Sequence, residues 1–298
     1  MIHNIEIIFY KLILGNTSLS DYIFENFLNK YRYQSNNRFN EHIFITGLAR
    51  SGTTILLNKL YSSGYFESFI YRDMPFLFNK EIRQLFRKLK IKNTNMQERY
   101  HKDGLFINSL SPECFDEVFW NKTFSYYKKK EIKYRKRIDK KILNAYSGLL
   151  SELITKNENK RIIIKNNNNH IRLKHLSDYF ENSKFLLIFR NPIFHSYSLL
   201  NQHVNFVNTQ LESNYVLQYM NILGHYEFGV NIKPFTYENV RRNLKYKFDI
   251  NTINYWLNQW VKTYSWILDK KLYLKKNIFF ICYEELCIND KIYEEICE

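Results

Sequence analysis

The stretch HIFITGLARSGTT, residues 42–54, joins a short apolar run to a loop that contains glycine. Residues 42–46 are mostly β-branched or aromatic, which predicts a strand, and the apolar spacing of residues 56–61 predicts a helix. The chain has only eight glycines, and Gly47 and Gly52 stand where the strand must turn into the helix. We therefore predict a strand, a tight loop and a helix in this order.

The loop at residues 47–54 has the chemistry of an anion-binding site. Backbone amides of Gly52, Thr53 and Thr54 would lie at a helix N-terminus, where unpaired N–H groups favour a phosphate-like anion. Arg50 adds a positive charge. An ordinary nucleotide triphosphatase needs Lys directly after the second glycine, and Thr53 occupies that position. A purely structural turn is the alternative interpretation.

Three further apolar runs predict strands at residues 161–164, 184–189 and 278–282. The first two are separated by an Asn-rich loop and a helical stretch near residues 171–180, about the length that a crossover between parallel strands requires. The pattern predicts an α/β fold with a central parallel sheet flanked by helices.

The rest of the chain fits one domain over residues 1–298, in which residues 1–40 form a helical lead-in. A helix ahead of the last strand places four large apolar side chains on one stripe, which we interpret as core: Trp256, Trp260, Tyr264 and Ile267. The sequence ends soon after this strand, so we expect that a closing segment present in related chains is missing or trimmed.

The composition is strongly basic, with 44 Lys and Arg against 29 Asp and Glu, which favours an anionic ligand or partner. A codon bias toward AT-rich DNA accounts for part of this excess. Residues 128–137 hold seven basic side chains, which we interpret as a solvated helix face and not as a grip on nucleic acid.

The sequence also favours a cytoplasmic location. The apolar stretch at residues 5–14 contains Glu6 and Lys11 and lacks the pattern of a signal peptide, and no run reaches the length of a membrane span. The four cysteines form no CxxC pair and suit a reducing compartment.

Two more cations stand at the carboxyl ends of predicted strands. Lys165 follows the second strand and Arg190 ends the third. Ligands of open α/β sheets bind at that edge, so we expect these side chains to join Arg50 around a ligand with several phosphates or sulfates.

With these residues the chain resembles the P-loop sulfotransferases, particularly bacterial members distantly similar to tyrosylprotein and heparan sulfotransferases. ARSGTT is similar to the family's PRSGTT, with Ala49 in place of proline, and Arg190, Pro192 and Ser198 repeat the spacing of its 3′-phosphate site. Weaker similarities are Lys165, 25 residues before Arg190, and YEEL at residues 283–286. The resemblance runs from about residue 42 to residue 286.

This resemblance implies a P-loop NTPase-like fold and transfer of a sulfuryl group from 3′-phosphoadenosine 5′-phosphosulfate (PAPS) to a hydroxyl or amine, without a metal. The implied donor contacts are Arg50, Ser51, Gly52, Thr53, Thr54, Arg190 and Ser198. Arg50 and Lys165 are also implied in catalysis. The acceptor can be a saccharide, a lipid headgroup or a small metabolite, and the sequence does not distinguish among them. The sequence does not predict the oligomeric state either. A nucleotide kinase and a nonenzymatic module that binds nucleic acid are the alternative functions.

The family's catalytic base often lies on the segment after the first helix, which here reads YRDMPF at residues 71–76. We predict Asp73 as the base, with Arg72 holding it ionised. A structural turn ahead of Pro75 is the alternative role for Asp73.

Other candidate bases stand elsewhere in the chain. Glu67 and His101 are weaker candidates than Asp73. The segment GHYEFG at residues 224–229 places His225 and Glu227 either in an acceptor pocket or in a structural turn.

Overall fold

The computed structural model describes residues 2–33, 41–89, 95–154, 160–238, 248–289 and 291–297. The strands in these ranges are β1 (Ile43–Thr46), β2 (Phe66–Glu67), β3 (Gln97–Glu98), β4 (Phe106–Ile107), β5 (Ile132–Lys133), β6 (Arg161–Lys165), β7 (Lys184–Phe189), β8 (Phe235–Thr236) and β9 (Ile278–Cys282).

The α-helices are α1 (Ile2–Leu14), α2 (Ser18–Tyr31), α3 (Thr53–Tyr61), α4 (Lys80–Lys88), α5 (Glu117–Phe124), α6 (Lys140–Ser151), α7 (Leu173–Tyr179), α8 (Pro192–Glu212), α9 (Asn214–Leu223), α10 (Ile253–Asp269), α11 (Tyr283–Ile288) and α12 (Lys291–Cys297). Short 3₁₀ helices lie at Tyr71–Asp73, Tyr126–Lys128, Asn167–Ile171 and Leu272–Leu274.

The central sheet has five strands in the order β2-β6-β1-β7-β9, and every pair is parallel. Ile43 of β1 lies opposite Ile163 of β6 and Lys184 of β7, so β1 is at the centre. The predicted α/β class, parallel sheet and four strands are confirmed. The edge strand β2 was not predicted, because two residues carry no periodic signal and the strand exists through its pairing with β6.

Apolar side chains cover both faces of this sheet, which explains why its strands have continuous apolar sequences. Phe44 of β1 stacks on Phe185 of β7 with ring centroids 4.7 Å apart. Its neighbours Ile43 and Ile45 lie on the other face, in a cluster with Leu56 of α3. The helix that follows the glycine loop is therefore fixed against the sheet by its apolar residues.

The helical lead-in is confirmed in α1 and α2, while the expectation for residues 34–40 lies outside the described residues. The rings of Tyr10 in α1 and Tyr219 in α9 pack edge to face, with centroids 5.2 Å apart. The stripe on α10 is core as predicted, because Trp256, Tyr264 and Ile267 are buried and the partly buried Trp260 packs against the core. No described helix has both the length and the apolar character that crossing a membrane requires.

The helix predicted at residues 128–137 is wrong. The segment is extended around β5, which pairs with β8, and Ile132 and Tyr134 are buried between exposed cations. This alternation has the period of two that belongs to a strand. The exposure of the basic side chains was predicted correctly. The Asn-rich segment predicted as a loop forms the 3₁₀ helix Asn167–Ile171.

Candidate active site

A cavity of about 1040 Å³ opens at the carboxyl edge of the sheet. Residues that end or follow four of its strands line this cavity: Gly52 after β1, Lys165 at the end of β6, Arg190 after β7 and Tyr283 after β9. Arg50 lines it as well. The structure therefore brings together the three cations that sequence reasoning placed at this edge.

The loop between β1 and α3 depends on its two glycines. Gly47 has a φ of 148°, and a Cβ atom there would lie 2.3 Å from the carbonyl oxygen of Ile188. Gly52 has a φ of 98°, and a Cβ atom there would lie 2.4 Å from the Tyr283 ring. A larger residue at either position would collide with its neighbour and strain the backbone.

This loop leaves hydrogen-bonding capacity at the start of α3. Gly52 precedes the helix and offers no side-chain cap, so amides of the first turn remain for another acceptor. The Ser51 hydroxyl is buried and has no hydrogen-bond partner. A buried unpaired hydroxyl and uncapped amides are the groups that a bound phosphate or sulfate would satisfy.

Arg50 is held by side chains from two other segments. It donates to Asp103 at 2.5 Å and, through Nε, to Ser198 Oγ at 3.4 Å. Burial alone would raise the pKa of Asp103, but Arg99 and Arg50 outweigh it and hold the pKa well below its usual range. Asp103 therefore stays ionised beside the loop.

Lys165 is buried and paired with a carboxylate that sequence reasoning missed. Its Nζ donates to Glu113 Oε1 at 2.9 Å, and Arg99 donates to the other oxygen at 3.3 Å. Burial alone would raise the pKa of Glu113, yet Lys165 and Arg99 hold it well below its usual range. Glu113 lies 52 residues from Lys165 in the chain, so spacing gave no signal.

Arg190 lies between β7 and α8, and its guanidinium can donate further hydrogen bonds. Its Nε is buried, donates no hydrogen bond and lies 3.9 Å from Glu284 Oε1. The guanidinium carbon lies 4.7 Å from the centroid of the Tyr283 ring. Asn191 caps α8 by accepting from the amides of Ile193 and Phe194, which fixes the backbone next to Arg190.

Two further residues support the loop and were not predicted. The Nε2 atom of His195 lies 2.8 Å from the Ala49 carbonyl oxygen, and burial lowers the pKa of His195 to about 4. The ring is therefore neutral near pH 7 and donates this hydrogen bond. Asn167 accepts from the Thr53 hydroxyl at 2.9 Å. Neither residue belongs to a motif that spacing alone identifies.

The structure places Asp73 away from this cavity. Its side chain is fully buried and accepts from the Ile70 amide at 2.9 Å and from two Arg87 nitrogens at 2.5 Å each. Its partner is therefore Arg87, and the expected pairing with Arg72 is wrong, because Arg72 donates to the Ser109 hydroxyl and to backbone carbonyls.

Both oxygens of Asp73, the base predicted from the sequence, are therefore bound within the fold. The weaker candidate Glu67 is likewise held by Arg87 at 3.0 Å and Lys160 at 2.9 Å. Neither carboxylate is among the residues that line the cavity.

His101, His225 and Glu227 all line the cavity. His225 Nδ1 lies 3.7 Å from Glu227 Oε2. Burial alone would lower the pKa of His225, but the Glu227 carboxylate outweighs it and raises the pKa above its ordinary value. Burial and Arg99 instead lower the pKa of His101 well below its ordinary value. Of the two imidazoles, His225 is the stronger base.

The remainder of the cavity wall is largely aromatic and aliphatic. The residues that form it include Phe9, Tyr10, Tyr71, Phe115, Phe206, Tyr219 and Met220. Nothing in the described ranges groups three or more His, Cys, Asp or Glu side chains as a metal site would. Cations thus line the cavity at the strand ends, where Asp103 and Glu113 pair with two of them, and mostly apolar side chains together with Glu6 line it toward α1 and α9.

A family model described as "Sulfotransferase family" matches residues 42–231. The chain belongs to the sulfotransferase family. The match includes the loop at residues 47–54, Lys165, Arg190, Ser198, His225 and Glu227. In this sulfotransferase family member, α1, α2 and Tyr283 lie outside the matched residues. No curated protein matches the chain.

Two solved structures are similar to this sulfotransferase family member. One is sulfotransferase STF1 from Mycobacterium tuberculosis H37Rv (type1 form), with 12% identity and a TM-score of 0.48 over 92% of this chain and 70% of that one. The other is sulfotransferase STF9 from Mycobacterium avium, with 12% identity and a TM-score of 0.35 over 87% of this chain and 75% of that one.

Proposed function

We propose that the protein transfers a sulfuryl group from PAPS to a hydroxyl or amine of a small-molecule or glycan acceptor. The observation that carries this proposal is the uncapped loop, with its buried unpaired Ser51 hydroxyl, facing a cavity that Arg50, Lys165 and Arg190 also line. A donor with phosphate at one end and phosphosulfate at the other supplies anions for all of these groups.

Two groups of residues would bind the two anionic groups of the donor. Amides of Gly52, Thr53 and Thr54, with Arg50 and Ser51, would hold the 5′-phosphosulfate at the start of α3. Arg190 and Ser198 would hold the 3′-phosphate. The hydrogen bond from Arg50 Nε to Ser198 Oγ, at 3.4 Å, supports this arrangement, because it joins one residue of each group.

The bound donor supplies a sulfuryl group that leaves the 5′-phosphate oxygen for the acceptor atom. Positioning and electrostatic stabilisation dominate such group transfers. Arg50 and Lys165 would stabilise negative charge on the leaving phosphate and the sulfuryl oxygens. Burial supports this role for Lys165, because a charge acts more strongly where water is excluded. No step requires a metal.

We propose His225 as the base that takes the acceptor's proton, with Glu227 stabilising the resulting imidazolium. The raised pKa of His225 supports this, because the Glu227 carboxylate makes the imidazole a stronger proton acceptor. Asp73 would then have a structural role at the 3₁₀ turn that precedes Pro75. This assignment replaces the one drawn from the sequence.

The test is a transfer assay with PAPS and pooled acceptors, followed by mass spectrometry. We expect acceptors that have gained the mass of one sulfuryl group and a matching amount of adenosine 3′,5′-bisphosphate. Transfer of phosphate from ATP with magnesium, and none from PAPS, would favour the kinase instead. We further propose a cytoplasmic setting, which the free thiols of Cys114, Cys282 and Cys287 support, together with a bacterial source and no nucleic-acid partner.

A further inference from the structure

Helix α1 has two apolar faces, and only one of them is buried. Ile7, Tyr10 and Leu14 are buried. On the opposite side, Ile5, Ile8, Phe9 and Leu12 are 55%, 53%, 53% and 43% exposed. The spacing of these four residues places them within one stripe of an α-helix. We call them the α1 stripe. An exposed contiguous apolar stripe marks an interaction surface more often than a single exposed residue does.

The α1 stripe is continuous with the cavity. Phe9 belongs to the stripe and also lines the cavity, as do its neighbours Glu6 and Tyr10. Tyr100, which is 45% exposed, lines the same cavity, and burial together with the Glu6 carboxylate raises its pKa. Tyr100 therefore lies near Glu6 of α1. The exposed apolar surface therefore adjoins the apolar end of the cavity, opposite the cationic loop.

Lysines flank the other side of the stripe. A second cavity, of about 740 Å³, is lined by Lys11 of α1 together with Lys129 and Lys130, and the described residues that line it include no acidic one. Lys233 also lines it, but it is buried and donates to the Tyr126 carbonyl oxygen. Lys129 and Lys130 are exposed and belong to the basic segment 128–137. An apolar helical face next to such cations matches an anionic lipid surface, where apolar side chains enter the interface and lysines contact headgroups.

We propose that the α1 stripe rests on an anionic lipid surface and brings the cavity to amphiphilic acceptors held in that surface. The acceptor part rests on the proposed function, whereas the membrane contact does not. An acceptor with a polar hydroxyl or amine and an apolar body fits a cavity that is cationic at one end and aromatic at the other. Helix α1 has 13 residues, a length that suits lying in the interface.

The test is cosedimentation of the full chain with phosphatidylcholine vesicles, with and without phosphatidylserine. We expect binding to the vesicles that contain phosphatidylserine. The variant Ile5→Glu/Ile8→Glu should lower the partition coefficient at least about tenfold, because two apolar side chains that would enter the lipid interface are replaced with charged ones. The matched control is Leu274→Glu/Ile288→Glu, which changes the same charge at two exposed apolar residues elsewhere and should bind normally.

A second variant separates charge from apolar contact. Lys11→Glu/Lys129→Glu should remove most of the preference for phosphatidylserine, since each lysine near an anionic surface contributes about a fivefold effect. Equal binding of the wild type and Ile5→Glu/Ile8→Glu would overturn the proposal. So would a dimer in ultracentrifugation that this variant converts to monomers without any binding of the wild type to vesicles, because a second copy would then cover the stripe.

Binding of adenosine 3′,5′-bisphosphate, measured in parallel, separates this proposal from the proposed function. A chain that binds this nucleotide and no vesicles refutes the membrane contact alone. A chain that binds vesicles and not the nucleotide refutes the proposed donor alone. With both bound, we expect sulfuryl transfer to a long-chain alcohol in vesicles to exceed transfer to a soluble sugar. The reverse order would overturn the acceptor class.

Discussion

The two ends of the cavity are built in different ways. The end where we propose that the donor binds, called the donor end, comes from the loop at residues 47–54 and from residues at strand ends, and its shape depends on backbone conformation at Gly47 and Gly52. The acceptor end is assembled from side chains of α1, the β3–β4 segment, α8, α9 and residues 225–228. Because a backbone motif is contiguous in sequence, the donor end can be recognised there, while the acceptor end becomes visible only in the folded chain.

The largest effect that tests this contrast concerns the acceptor end. We expect His225→Asn to lower turnover by about 10²- to 10⁴-fold with nearly unchanged donor affinity, the range for loss of a general base. His101→Asn is the matched control, because it removes another imidazole from the cavity whose pKa is lowered. Single-turnover rates and calorimetric affinities measure the two quantities. A greater loss of turnover in the His101 variant would transfer the role to that residue.

The next prediction distinguishes a structural role of Asp73 from a role as the catalytic base. Asp73→Asn should lower the free energy of unfolding by about 2–4 kcal/mol, because it removes the charge from a buried pair with Arg87. Turnover per folded molecule should stay normal. Glu67→Gln is the control, since Glu67 is a more exposed partner of the same arginine and its loss should be smaller. Denaturant titration gives the stabilities. A stable Asn variant without activity would restore Asp73 as the base.

At the donor end, Arg190→Ala should weaken binding of adenosine 3′,5′-bisphosphate by about 1.5–3 kcal/mol, which is the scale of a charge-assisted hydrogen bond. Arg161→Ala removes the same charge at the amino end of β6 and serves as the control. Isothermal calorimetry on both variants measures the difference. Equal affinities would show that Arg190 does not touch the donor.

The smallest effect is a shift in pH dependence. His225 must be neutral to accept a proton, so activity should rise with pH through its pKa. The Glu227 carboxylate raises that pKa, and Glu227→Gln should therefore move the rising limb to lower pH. Turnover rates measured across the pH range, at saturating donor, give the position of the rising limb. An unmoved limb would mean that another group controls it.

The sequence predicted much of the fold and the grouping of three cations at the carboxyl edge of the sheet for a physical reason. Four apolar strands and the loop are local patterns, and Lys165 and Arg190 stand directly at strand ends. The pairing of Lys165 with Glu113 and the support of Ala49 by His195 depend on tertiary contacts between distant segments. Such contacts leave no mark in spacing.

Two predictions assigned a role to a local pattern whose surroundings in the fold were not visible in the sequence. Asp73 lies on the segment where a base was expected, but Arg87 fills both of its oxygens. The basic segment 128–137 was assigned to a helix because its charge was considered without the alternation of Ile132 and Tyr134. Prediction of one domain over residues 1–298 stays a prediction.

The most direct test of the central claim is calorimetric titration of the full chain with adenosine 3′,5′-bisphosphate and, separately, with ATP and magnesium. The account predicts that the bisphosphate binds with the higher affinity. It also predicts that Gly52→Ala weakens this binding, because the added methyl group would meet the Tyr283 ring beside the loop. Tight binding of ATP with magnesium, together with no detectable binding of the bisphosphate, would contradict it.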